Sequence, residues 1–249
     1  MLRTNGLIFL IYVAVFLGCE NEINKKNTMS KKNQGSFETT ENIPIDLNYS
    51  LYTPDGYNES SSDYPLVLYL HGVGERGDDL SKLEVNGLPE IVNIGKKSSF
   101  ITVAPQCPDF GWWSRSEYVE ALASLVKSII KNHKVDNKRV YVTGLSMGGY
   151  GTLALAKKFP DLFAAIISIC GGMDNHSDIK KLKELPIWLF HGDQDQVHPV
   201  ENSITIRDLL APINDQIKLT IYKGVGHNSW DRTYANEKIY DWLLGHKKD

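Results

Sequence analysis

One serine, Ser146, stands among three glycines in Gly144-Leu-Ser-Met-Gly-Gly149. The β-branched run Arg139-Val-Tyr-Val-Thr143 precedes it and the alanine-rich stretch 150–158 follows. A serine hydroxyl attacks a carbonyl only if a base takes its proton as it does so. Presenting that hydroxyl needs a sharp strand-to-helix turn, which crowds the residues two before and two after. Gly144 and Gly148 remove the Cβ atoms that would collide there. A helix opening at Met147 points its free N–H groups at any developing oxyanion. A phosphate-binding loop is the rival reading, but the P-loop lysine and the GxGxxG spacing are both missing.

The base and the acid must come from elsewhere in the chain. There are seven histidines: His71, His133, His176, His191, His198, His227 and His246. In a strand-to-helix architecture the expected order is serine, acid, histidine, which leaves the last three that follow the acid loop's start, His198, His227 and His246. His246 lies in a charged tail and His198 falls within the acid loop itself. His227, after the flexible Gly224-Val-Gly226, is therefore the expected general base. Asp193 and Asp195 both follow the apolar run ending at Phe190. One would orient the imidazole and the other would tie its own loop's N–H groups; spacing alone leaves the choice open. His191, Asp193, Asp195 and His198 also have a spacing that metal ligands use. A triad accounts for this loop better, so neither metal nor cofactor is expected.

These residues need elements to hold them. Strands are expected at 47–52, 66–70, 100–104, 139–143, 164–169, 187–190 and 217–222. Helices are expected at 117–131, 147–158, 178–185, 200–210 and 230–244, from apolar spacing such as Val119, Leu122, Leu125 and Ile129. Strict alternation predicts an α/β fold with a mostly parallel central sheet and helices on both faces. In such sheets ligands bind beyond the carboxyl ends of the strands. That is where His71-Gly72, Ser146, His191 to Asp195 and His227 fall. The span between Cys170 and Pro186 leaves no room for a large lid. Phe110, Trp112, Trp113, Tyr150 and Trp230 are placed near the mouth, with Trp113, Tyr150 and Trp230 the substrate-binding candidates.

The chain of 249 residues carries a net charge of −3, which argues against nucleic acid as a partner. Its first residues differ in kind from the rest. Arg3, the apolar run Leu7–Leu17 and Gly18-Cys19 read as an export signal over 1–18, too short to span a bilayer. Phe16-Leu-Gly-Cys19 resembles a bacterial lipobox, with Cys19 lipidated and the membrane reached through that anchor alone. Residues 19–44 are polar and read as a flexible tether to a folded domain over 45–249. This predicts an exported protein of a bacterial cell envelope. Cys107 and Cys170 then remain as an even pair able to form a disulfide. Their parent strand ends would stand about 14 Å apart, so only converging loops could bring them together.

The stretches YPLVLYLHGVGERGDD (64–79), VAPQCP (103–108), GLSMGG (144–149), FHGDQDQVHPV (190–200) and GVGHNSW (224–230) resemble the α/β-hydrolase superfamily. They look most like bacterial phospholipase/carboxylesterase and dienelactone-hydrolase-type serine esterases, also labelled prolyl-oligopeptidase-like predicted peptidases. The resemblance covers about residues 45 to 245. It implies Asp195 as the acid and the backbone N–H groups of Val73 and Met147 as the oxyanion hole. The chain departs from many relatives in having His198 before Pro199. The expected activity is cleavage of carboxylic esters through an acyl-enzyme, on a small-molecule or polysaccharide-borne substrate. A serine peptidase and a non-catalytic binding protein of the same fold are the alternatives.

Overall fold

The computed structural model describes residues 31–38, 45–93 and 99–249. The leader expected over 1–18 and Cys19 lie outside the described residues. In chain order the elements are β1 (Lys31–Glu38), β2 (Asp46–Thr53), β3 (Tyr64–Leu70), α1 (Leu88–Asn93), β4 (Ile101–Pro105) and α2 (Ser116–Asn132). There follow β5 (Val135–Leu145), α3 (Met147–Lys158), β6 (Ala165–Ile169), β7 (Ile187–Gly192) and α4 (Glu201–Leu210). The chain finishes with β8 (Ile217–Tyr222), α5 (Ser229–Tyr234) and α6 (Lys238–Leu244).

One sheet takes the strand order β1-β2-β4-β3-β5-β6-β7-β8. From β4 through β8 every pairing is parallel, while β1 and β2 add an antiparallel edge. Successive side chains on a strand point to opposite faces, and β3 shows the consequence. Leu66, Leu68 and Leu70 join one core with Leu122 and Val126 of α2, Leu153 of α3 and Ile206 of α4. Val67 and Tyr69 join the other, with Leu83, Leu88 of α1, Tyr234 of α5 and Leu243 of α6. Both faces of the strand are dry, which is why its sequence is continuously apolar. Each such leucine removed from water contributes about 2 kcal/mol. The packing therefore fixes the strand register and, with it, which loops meet at the carboxyl edge.

Several elements differ from expectation: α1 has no counterpart among the expected helices, and β1 is the largest addition. Eight residues of the expected 19–44 tether form β1, paired with β2 from Lys31↔Thr53 to Glu38↔Asp46. The ladder is made by backbone groups and so tolerates a polar sequence. Lys32 pairs with Glu84, Phe37 packs on the core, and a Cβ on Gly35 would come 2.5 Å from the Tyr49 hydroxyl. A lysine-bearing strand is also a suitable sheet edge. The remaining tether residues, 19–30 and 39–44, lie outside the described residues. Another difference is the last helix, expected as one piece over 230–244 and found as α5 and α6. Asn236 interrupts it, its Oδ1 accepting from the Lys238 N–H at 3.2 Å.

The β6–β7 connection holds a single turn of 3-10 helix, Ile179–Leu182, where a helix over 178–185 was expected. No helix among the described residues is long and apolar enough to cross a membrane.

Candidate active site

Ser146 sits between the last residue of β5 and the first of α3, at φ 52° and ψ −117°. Positive φ is costly for a residue with a Cβ and persists only where the surroundings enforce it. Here they do. A Cβ on Gly148 would come 1.9 Å from the Leu70 carbonyl oxygen, and one on Gly144 would come 2.4 Å from that of Gly148. The turn can close only with glycine at both places. Ser146 N–H donates to the Ile169 carbonyl at 2.9 Å, which fastens the turn to β6.

His227 Nε2 lies 2.9 Å from Ser146 Oγ, and His227 Nδ1 lies 2.7 Å from Asp195 Oδ2. An ionised carboxylate only accepts, so Nδ1 carries the hydrogen and Nε2 is left to accept the serine proton. The Asp195 carboxylate is fully covered, while the His227 ring is 21% exposed. Burial alone would push the Asp195 carboxyl up. The His227 hydrogen bond and the His198 and Val197 N–H groups outweigh it and hold the group below the ordinary carboxylate range. Asp195 is therefore charged where the imidazole needs a counter-charge.

The acid loop and the histidine loop are locked together. A Cβ on Gly192 would meet the Val225 and Gly226 carbonyl oxygens at 2.2 and 2.4 Å. Asp193 does not tie its own loop; its Oδ1 accepts from the Gly224 N–H at 2.7 Å, across the gap. Asp195 ties the acid loop itself, its Oδ1 accepting from Val197 N–H at 2.8 Å and His198 N–H at 2.9 Å. His191 stands behind it. Its Nε2 donates to the His198 carbonyl at 2.9 Å and lies 3.2 Å from Asp195 Oδ2, while its Nδ1 meets Ser203 Oγ at 2.8 Å. The alternative metal set of His191, Asp193, Asp195 and His198 does not gather. Among the described residues, the one group with metal-ligand atoms in reach of each other is Cys170, Asp195 and His227.

Val73 and Met147 are the first residues of helical turns, where N–H groups have no partner inside the helix. The loop carrying Val73 passes close by Ser146, since a Cβ on Gly72 would lie 3.8 Å from Ser146 Cβ. Two buried contacts anchor that loop. Cys107 N–H donates to His71 Nε2 at 2.9 Å, and Gln106 Nε2 donates to the Glu75 carbonyl at 2.8 Å. Burial pushes the His71 pKa down to about 4, so the ring stays a neutral acceptor.

Aromatic rings wall the site. Trp112 meets Tyr150 at 6.3 Å between centroids, Tyr150 meets His198 at 5.1 Å, and His198 meets His227 at 5.3 Å. Trp230 stands edge-on to His227 at 5.4 Å. Tyr150 and Trp230 are half-buried and face this rim, and Phe110 is 92% exposed. Trp113 is a correction: it is fully buried, so it cannot touch substrate. Its Nε1 donates to the His71 carbonyl at 3.2 Å and its ring packs edge-on to His71 and Tyr118. The question left open for Cys107 and Cys170 is answered against a bridge, for both are free buried thiols. β3 and β5 separate their parent strands, and Cys107 faces Gly111 instead. Sequence reading weighed His198 as a base or a metal ligand and Cys170 only as half of a disulfide; both lie beside His227 instead.

The profile of the phospholipase/carboxylesterase family matches residues 115–243. The chain belongs to this family. A crystal structure of a thermostable esterase is similar over 86% of the chain and 63% of its own length, at 32% identity and a TM-score of 0.73. The α/β-hydrolase fold follows from family and structure together. Poly(3-hydroxyalkanoate) depolymerase C of Paucimonas lemoignei is 32% identical over 142 residues, 52% of the chain. A bifunctional acetylxylan esterase/xylanase of Neocallimastix patriciarum is 25% identical over 195 residues, 77% of the chain. The chain spans 32% of the depolymerase and 27% of the acetylxylan esterase, so it matches one part of each.

Proposed function

We propose that this family member is a serine esterase that hydrolyses carboxylic esters through an acyl-enzyme. The supporting observation is the hydrogen-bonded line from Ser146 Oγ through His227 to a fully covered Asp195 carboxylate, at 2.9 and 2.7 Å. Ser146 Oγ attacks the acyl carbonyl while His227 Nε2 takes its proton. The N–H groups of Val73 and Met147 receive the oxyanion, whose stabilisation is the largest single contribution in such reactions. His227 then gives the proton to the leaving alkoxide. In the second half it takes a proton from water, which attacks the acyl carbon, and returns that proton to Ser146 Oγ as the carboxylic acid leaves. Asp195 holds the imidazole tautomer throughout and offsets the imidazolium charge.

The open aromatic rim of Trp112, Tyr150 and Trp230 supports an acyl group carried on a bulky alcohol. A polysaccharide is such an alcohol, and acetylxylan esterase is among the relatives. Export and lipidation at Cys19 belong to the same proposal and rest on the sequence of residues 3–19. The test is labelling with a fluorophosphonate, read as a mass increase on the peptide holding Ser146. Alanine at Ser146 or at His227 should each lower kcat for a short nitrophenyl ester by about 10³-fold or more while the protein stays folded. Wild-type turnover by either variant overturns the mechanism, and a protein that neither reacts with the probe nor turns over any ester is a binding module.

A further inference from the structure

Beside His227 the mechanism leaves the His198 ring and the Cys170 thiol unused, and the thiol is the one that shares reach with both His227 and Asp195. Cys170, the residue after β6, has φ 42° and no exposed surface. Its Sγ, a carboxylate oxygen of Asp195 and a ring nitrogen of His227 all lie within 4.8 Å of one another. A thiolate, an imidazole and a carboxylate form a donor set that zinc and cadmium favour and that magnesium and calcium do not. We propose that Cys170, Asp195 and His227 form a site for a thiophilic divalent cation, and that its occupation switches the esterase off. The site is regulatory and rests on the esterase reading above.

Three features carry the proposal. First, distance: ligand atoms of a tetrahedral zinc stand about 3.3–3.6 Å apart, given bonds of about 2.0–2.3 Å. Small side-chain rotations bring Cys170 Sγ in from within 4.8 Å and ease the Asp195–His227 pair out from 2.7 Å to that spacing. Second, charge: a divalent ion with one thiolate and one carboxylate is neutral, which a covered site tolerates. Burial pushes the free thiol up to about 12, so the metal must displace its proton, as zinc does at coordinated thiols. Third, Asp195 already divides its oxygens. Oδ1 keeps the Val197 and His198 N–H groups while Oδ2 is the one that turns to the ion.

Inhibition follows from the tautomer. A metal on His227 Nδ1 requires that nitrogen to lose its hydrogen, and the neutral ring then carries it on Nε2. That nitrogen now donates to Ser146 Oγ and can no longer accept its proton. The proton count closes: the imidazole's hydrogen moves from Nδ1 to Nε2, and the Cys170 proton leaves to solvent, one per ion bound.

The test is titration of the metal-free full chain with cadmium, following the ultraviolet thiolate-to-cadmium charge-transfer band, with zinc inhibition of nitrophenyl acetate hydrolysis in parallel. A band saturating at one equivalent is expected, kept in Cys19→Ser and in Cys107→Ser and lost in Cys170→Ala. The zinc concentration for half-inhibition should rise about a hundredfold or more in Cys170→Ala and Cys170→Ser. No band in the wild-type chain, or equal zinc inhibition with and without the Cys170 thiol, overturns the site. The band needs no turnover, and fluorophosphonate labelling in metal-free buffer needs no cadmium. Failure of this proposal and failure of the esterase reading are thereby told apart.

Discussion

Asp195 serves three partners with one carboxylate, and its neighbour Asp193 serves a fourth. Oδ1 of Asp195 closes its own loop on Val197 and His198, and Oδ2 orients His227. Asparagine at 195 can keep the carbonyl oxygen on the loop, but its amide would then offer N–H to a ring nitrogen that must itself be a donor. The histidine turns to the wrong tautomer, so Asp195→Asn should lower kcat by about 10³-fold or more with a folded protein. Asp193→Asn keeps the acceptor for Gly224 N–H and should retain near-wild-type turnover. Asp193→Ala removes that bond and should cost about 1 kcal/mol in denaturant unfolding. A dead Asp193→Asn beside an active Asp195→Asn would reverse the assignment. Ser146 and His227 were legible in the sequence because glycines mark the strain around each. Asp195 was not separable from Asp193 by spacing, because hydrogen-bond direction is a property of the folded loops. Trp113 was misread for a related reason: a tryptophan at a strand end looks the same in sequence whether its N–H meets substrate or the His71 carbonyl.

At the scale of elements, apolar periodicity located the strands from β2 onward because β3, β4, β6, β7 and the second half of β5 are almost wholly buried and so read as apolar runs. It could not find β1, whose ladder with β2 is made by backbone groups and leaves no apolar pattern. Nor could it see the break between α5 and α6, where a single asparagine caps the next turn. What the elements do for the site is bring two loops into contact, and Gly192 at the end of β7 measures how closely. A methyl group there meets two backbone oxygens of the histidine loop at 2.2 and 2.4 Å, and neither is the flexible end of a side chain. The loops must part. Gly192→Ala is therefore expected to lower kcat by at least about 10²-fold, since a displacement of an ångström between reacting groups costs that much. The thermal midpoint should fall as well. Gly74→Ala, where a Cβ meets nothing within 4 Å, is the control expected to keep its midpoint. Wild-type turnover by Gly192→Ala would mean that the two loops are not held by this contact.

At the scale of the whole molecule, a buried histidine sets how the fold responds to acid. His71 has no exposed surface, accepts the Cys107 N–H at Nε2, and is pushed by burial from 6.5 down to about 4. Between those two values the unfolded chain binds a proton that the folded chain refuses, so acid favours unfolding. The sign is fixed: this contribution is complete above about pH 6.5, declines as the pH falls, and is exhausted near 4. A depression of that size corresponds to roughly 3 kcal/mol across the window. Asp136 and Asp195, held below their ordinary value of 3.8, lose their own contributions only at lower pH, so the two regimes separate. Burial also pushes His133, His198 and His246 down, but these rings are half-buried and act less strongly. Substitution isolates the buried one. In His71→Gln the amide oxygen can still accept the Cys107 N–H, but no group there titrates near neutrality. Urea unfolding at a series of pH values from about 7 down to 4 should show wild-type stability falling more steeply than that of His71→Gln. The difference in slope should integrate to roughly the same 3 kcal/mol. Parallel curves for the two proteins would show that His71 takes up its proton without opening the fold, and that burial does not govern its titration.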